Sequence, residues 1–143
     1  MDAVPSFPLN GRTYRAPGRP VAVVCIDGGD PAYLARGFAS GDLPNLARFA
    51  SWGFSATALS VIPSFTNPNN VSIVTGAPPS VHGIPGNYLL DAATGEEVMM
   101  NDPSFLRSGT VLAGFHALGV PVAAVTAKDK LRRLLGAGLS GAV

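Results

Sequence analysis

An α/β fold with a mainly parallel sheet is what this sequence predicts, and three observations carry that expectation. Val21–Ile26 is an unbroken apolar run rich in β-branched residues, the mark of a strand covered on both faces. Phe54–Ile62 and Val120–Val125 repeat that character further along the chain. Segments with helical spacing and helix-capping residues separate these runs, and strands alternating with helices imply parallel crossovers.

Residues 1–20 carry Pro5, Pro8, Pro17 and Pro20 with Gly11 and Gly18, and they read as an irregular lead-in. The first strand, Val21–Ile26, stops at Asp27-Gly28-Gly29-Asp30-Pro31. Pro31 suits the first position of a helix behind an Asp30 cap, running to about Phe38. A second helix from Pro44-Asn45 places Leu46, Phe49 and Ala50 on one face and ends at Gly53. Phe54–Ile62 follows as a strand, and Pro63-Ser64-Phe65 turns the chain into a helix from Thr66 to about Thr75, closed by Gly76. Tyr88–Asp91 and Glu97–Met100, on either side of Gly95, read as a β-hairpin. Ser108 is expected to cap a helix through Val111, Leu112, Phe115 and Leu118, which Gly119 stops. Val120–Val125 is the third strand and Lys128–Leu135 the last helix. Three strands are few beside an average of about five or six per sheet, so the chain is expected to be incomplete.

Composition narrows the function classes. Of 143 residues 47% are hydrophobic and 13% charged, which points to folded interior rather than disorder. A net charge of +1 gives no global field to attract nucleic acid or an anionic membrane, so any anion site is local. Cys25 is the single cysteine, cannot form an internal disulfide, and suits a reducing cytoplasm. The first twenty residues lack a secretory h-region, and no apolar stretch nears the ~20 residues of a membrane span. A soluble, cytoplasmic protein is expected.

In an open parallel sheet, ligands gather outside the carboxyl ends of the strands. Asp27, Thr66, and Lys128 with Lys130 follow the three expected strands. Asp27 is either a metal-binding carboxylate held at a glycine turn or simply the turn-forming residue. Thr66 is either a nucleophile at an anion-attracting helix start or the helix cap; its hydroxyl needs a base or metal to react. Lys128 and Lys130 could bind a dianion, or belong to a solvated first turn with Asp129. Asn87 offers a neutral donor or a turn residue, and His82 and His116 read as structural.

Along about residues 20–135 the sequence carries, in order, Val23-Val24-Cys25-Ile26-Asp27-Gly28, Leu43-Pro44-Asn45-Leu46, Ser64-Phe65-Thr66-Asn67-Pro68-Asn69-Asn70 and His82-Gly83-Ile84-Pro85-Gly86-Asn87. That set resembles the opening of the nucleotide pyrophosphatase/phosphodiesterase branch of the alkaline phosphatase superfamily. Cys25-Ile26-Asp27-Gly28, the asparagine-rich segment and Thr126-Ala127-Lys128-Asp129-Lys130 look most like the phosphonoacetate hydrolases. The resemblance implies an alkaline-phosphatase-like core, its mainly parallel sheet sandwiched by helices, with residues 21–143 as its N-terminal part. It also implies cleavage of the carbon–phosphorus bond of phosphonoacetate to acetate and phosphate, through a phosphothreonine, at two zinc ions. Asp27 and Thr66 would share one zinc, which lowers the pKa of the threonine hydroxyl. Asn87 would hold a phosphonyl oxygen, and Lys128 and Lys130 would meet the carboxylate and phosphonate. The partner implied is a small phosphonate; the oligomeric state stays open, a homodimer included.

The sequence departs from that family in one respect. After Thr66 its aspartates and histidines are Asp91, Asp102, Asp129, His82 and His116, none spaced like the further ligands the family needs. Two tetrahedral zinc sites cannot be closed with these, and the chain alone is expected to be an inactive fragment. Two alternatives stand beside this one: a phosphodiesterase of the same superfamily, which needs an apolar slot for its substrate, and a truncated α/β domain that binds without turnover.

Overall fold

A computed structural model describes residues 4–140, in two compact units: residues up to Pro20 together with those from Ser60 onward, and Val21–Leu59. The lead-in expected to be irregular folds into an antiparallel hairpin, β1 (Ser6–Leu9) and β2 (Arg12–Arg15). Asn10 and Gly11 turn it, both with positive φ (50° and 76°), which is the backbone a two-residue hairpin loop demands and Asn-Gly supplies. A two-stranded ribbon consists only of edges, so Pro8 is tolerated within it. Phe7 lies opposite Tyr14 and stacks on it at 5.6 Å, and its ring meets Phe115 edge-on at 5.2 Å.

The unit 21–59 holds α1 (Pro31–Ser40) and α2 (Pro44–Trp52). Asp30 caps α1 as expected, its Oδ1 accepting the Ala32 N–H at 2.7 Å, and Gly41 closes the helix at φ 79°. Leu43 donates its N–H to the Gly37 carbonyl at 3.3 Å and lays its side chain where a Cβ on residue 37 would stand. The Arg48 guanidinium sits 4.5 Å from the Trp52 ring centroid. No residue of this unit is buried.

In the other unit follow α3 (Thr66–Thr75), the single turn α4 (Pro79–His82), β3 (Tyr88–Leu90), β4 (Glu97–Met99), a 3₁₀ turn at Pro103–Phe105, α5 (Val111–Ala117) and α6 (Asp129–Leu135). β3 and β4 pair antiparallel, Leu89 opposite Val98, as the sequence predicts. The core is Val71, Ile84, Met100 and Leu134, flanked by Leu89, Phe105 and Leu106. Each such side chain contributes about 1.5–3 kcal/mol when fully buried, and together they fix α3 and α6 against the hairpin. One cap differs from expectation. Thr110, not Ser108, starts α5, with its hydroxyl accepting the Ala113 N–H at 3.0 Å, while the Ser108 hydroxyl is buried without a partner.

Residues 21–26, 54–62 and 120–125, expected as sheet strands, carry no ladder; among the described residues both sheets are antiparallel pairs. Most of their apolar side chains stand in solvent, Val24 81% exposed, Leu59 99% and Val125 95%, while Val61, Val120 and Val122 are half-buried. A hairpin closes on itself through a short turn, whereas a parallel strand needs a partner reached by a crossover. Burial on two faces is likewise a property of neighbours, so an apolar run alone does not build it. Among the described residues no helix is long and apolar enough to cross a membrane.

Candidate active site

Thr66 is the first residue of α3. The cap position belongs to Phe65, whose backbone is extended (φ −90°, ψ 159°) and which makes no side-chain capping bond. The Thr66 hydroxyl is therefore not spent on the helix start, and among the described residues it has no hydrogen-bond partner. This removes the capping alternative for Thr66.

The asparagines behind it build the ground on which it stands. Asn69 donates to the Phe65 carbonyl at 2.8 Å and accepts the Val61 N–H at 3.0 Å, tying the incoming loop to the helix. Asn70 donates to the Thr66 carbonyl at 3.0 Å. Asn67 is fully buried; its side-chain NH2 donates to the Met100 carbonyl at 2.8 Å, and its backbone N–H donates to Asn87 Oδ1 at 3.0 Å. That last bond brings Asn87 to the start of α3. One of the helix-start N–H groups, that of Asn67, is thereby taken by Asn87. The Asn87 side-chain NH2 is a further donor there, with no partner among the described residues. A hydroxyl oxygen and an amide donor thus lie at one helix start.

His82 is a structural residue, as expected. It is fully buried, its Nδ1 accepts the Ile84 N–H at 3.1 Å, and its Nε2 lies 2.9 Å from Ser72 Oγ. With Nδ1 accepting, the neutral ring carries its proton on Nε2 and donates to Ser72, so it is not poised to take the serine proton. Burial lowers its pKa, partly offset by backbone hydrogen bonds at His82 and Pro68. His116 Nε2 pairs with the Ser140 hydroxyl at 2.6 Å. Asp102 caps the 3₁₀ turn, and the Ser104 backbone and side-chain hydrogen bonds, then Arg133 at 2.7 Å, lower its pKa.

Lys128 takes the cap position of α6, with its N–H on the Thr126 hydroxyl at 3.1 Å, and Lys130 lies within the first turn. α6 packs on α3 through Leu134 and Val71. Asp129 pairs with Arg132 at 2.9 Å, which leaves the first turn of α6 a mixture of both signs. Asp27 lies in the unit 21–59, at an exposed turn where Gly28 adopts φ 74°. Carboxylate and hydroxyl are oxygen donors of the kind divalent cations bind, yet the described residues hold no cluster of three His, Cys, Asp or Glu.

Asn67 is the residue whose part the sequence leaves undistinguished. Its signal is the run of three asparagines after Thr66, but only the fold tells which backbone group each one meets.

The type I phosphodiesterase/nucleotide pyrophosphatase family profile matches residues 21–135. Over 91 residues the chain is 38% identical to an uncharacterised pyrophosphatase/phosphodiesterase of Schizosaccharomyces pombe, covering 63% of this chain and 18% of that protein. Among solved structures, phosphonoacetate hydrolase from Sinorhizobium meliloti 1021 in complex with phosphonoformate matches 96% of the chain at 56% identity, with a TM-score of 0.90. The same enzyme in complex with phosphonoacetate matches at 55% identity with a TM-score of 0.91. The chain spans 33% of the length of those enzyme chains.

Proposed function

The chain belongs to the type I phosphodiesterase/nucleotide pyrophosphatase family and has its alkaline-phosphatase-like α/β fold, and from that premise we propose that it serves in hydrolysis of phosphonoacetate to acetate and phosphate. The observation that carries this is the 55–56% identity to an enzyme crystallised with phosphonoacetate and phosphonoformate. The hydroxyl of Thr66 and the amide of Asn87, at one helix start, are in keeping with it.

In this proposal Thr66 Oγ1 attacks phosphorus in line with the carbon–phosphorus bond. The bond's electron pair passes to the methylene carbon, which takes up a proton as acetate leaves, one proton equivalent having come from the hydroxyl. Water then cleaves the phosphothreonine and restores the hydroxyl. Asn87 donates to a phosphonyl oxygen throughout, and Lys128 and Lys130 meet the carboxylate and phosphonate charges. Threonine is a weak nucleophile at its ordinary pKa; zinc held by Asp27, Thr66 and ligands beyond this chain would supply the acidity it lacks. Its single free cysteine suits a cytoplasmic site of action, and homodimerisation is part of the proposal still to be tested.

The test is phosphate release from phosphonoacetate by this chain and by the complete reading frame, with and without zinc. Zinc-dependent release by the complete protein, abolished by Thr66→Ala with zinc largely retained by the other ligands, is expected. Substantial turnover by Thr66→Ala would refute the nucleophile. The family description and the fission-yeast relative favour a second substrate class, phosphodiesters. Preference for a phosphodiester over phosphonoacetate in the same assay would establish that class instead.

A further inference from the structure

Three hydrogen bonds close a ring around Asn67. Its backbone N–H donates to Asn87 Oδ1 at 3.0 Å, the Asn87 backbone carbonyl accepts the Met100 N–H at 2.8 Å, and the Met100 carbonyl accepts the Asn67 side-chain NH2 at 2.8 Å. Chemistry fixes both amide orientations. A carbonyl only accepts, so Asn67 turns its NH2 to Met100; a backbone N–H only donates, so Asn87 turns its oxygen to Asn67. The NH2 of Asn87 is thereby left as a donor outside the ring. Asn67 is fully buried, and its own Oδ1 has no partner. An orphan buried acceptor is unfavourable. An apolar side chain in the same space would avoid it, so packing alone does not account for an amide here. What the amide provides is the donor that anchors Met100, at the base of the β3–β4 hairpin, to the first turn of α3.

We propose that Asn67 is a positioning residue, which acts through Asn87 by holding its carboxamide with the NH2 turned outward beside Thr66. The inference rests on the substrate role proposed above for Asn87. It makes Asn87 a preorganised donor, whose rotation to present oxygen to an anion would break the ring.

The ring is read directly in the unmutated, isotope-labelled chain, as scalar couplings across the Asn67–Met100 and Asn67–Asn87 hydrogen bonds. Both are expected, and absence of either overturns the proposal without any variant. The role is read in the complete reading frame by a double-mutant cycle of Asn67→Asp and Asn87→Ala. Asn67→Asp keeps the shape and replaces the Met100 donor with oxygen. A rise in KM for phosphonoacetate of about tenfold is expected from losing one hydrogen-bonded anchor, with kcat changed less. Combined with Asn87→Ala it should cause no further rise, because both act at one contact. Multiplying losses in an active enzyme overturn the positioning role alone. An unmutated enzyme inactive on phosphonoacetate but active on phosphodiesters removes the substrate assignment, and the cycle is then read on the phosphodiester. Should Asn67→Asp fail to fold, Asn67→Ser, smaller and neutral, takes its place in the cycle with the same two criteria.

Discussion

Gly114→Ala sets two effects of similar size against each other inside α5. Alanine in place of glycine in a helix interior is favourable by about 1 kcal/mol. Here the added Cβ would overlap the Phe7 ring, colliding with Cε2 and Cζ and lying 2.7 Å from Cδ2. Phe7 cannot yield cheaply, since its ring is stacked on Tyr14 and set edge-on against Phe115. Overpacking of this kind costs about 1–3 kcal/mol. Swinging the ring out instead forfeits two aromatic contacts at about 0.5–1.5 kcal/mol each. The balance is a net loss of up to about 2 kcal/mol, centred on the N-terminal hairpin. Amide hydrogen exchange is the assay: protection of Ala16, whose N–H bonds to the Pro5 carbonyl at 2.7 Å, should fall roughly tenfold. In a Phe7→Ala background the clash is gone, and Gly114→Ala should stabilise by about 1 kcal/mol. A gain in stability with Phe7 present would refute the reasoning.

Acid should destabilise the unit that holds His82. Its folded pKa lies below the ordinary histidine value of about 6.5, so the unfolded chain binds the proton first; stability is full above that value and falls as pH drops towards the lowered pKa. Urea midpoints measured from about pH 7.5 to about pH 5 should decline in the wild type and less in His82→Gln; equal declines would exclude His82 as the cause. Removing both cations of the α6 start, Lys128→Ala with Lys130→Ala, should raise KM for phosphonoacetate by about tenfold or more in the complete reading frame. An unchanged KM would take these lysines out of the substrate site.

Helices were the most legible part of this chain. Asp30-Pro31 and Pro44 open α1 and α2, and Gly53 and Gly76 close α2 and α3, because caps are written in residues adjacent in sequence. The β3–β4 hairpin was legible for the same reason. The hairpin at Asn10-Gly11 carried an equally local signal, but the prolines around it drew the segment towards irregular structure. Ser108 and Thr110 are both competent caps, and only the packed helix start selects the second.

By itself the sequence determined the family, the α/β character, and which side chains carry hydroxyl, amide, carboxylate and ammonium chemistry. Tertiary structure decided how those groups are used. It gave the cap position to Phe65, freeing the Thr66 hydroxyl, and spent the Asn67 N–H on Asn87. It also left the apolar runs 21–26, 54–62 and 120–125 without ladders. The division has one physical cause. Periodicity and capping depend on neighbours a few residues away, whereas strand pairing and the saturation of a particular donor depend on groups brought in from elsewhere, as Met100 and Asn87 are brought to Asn67.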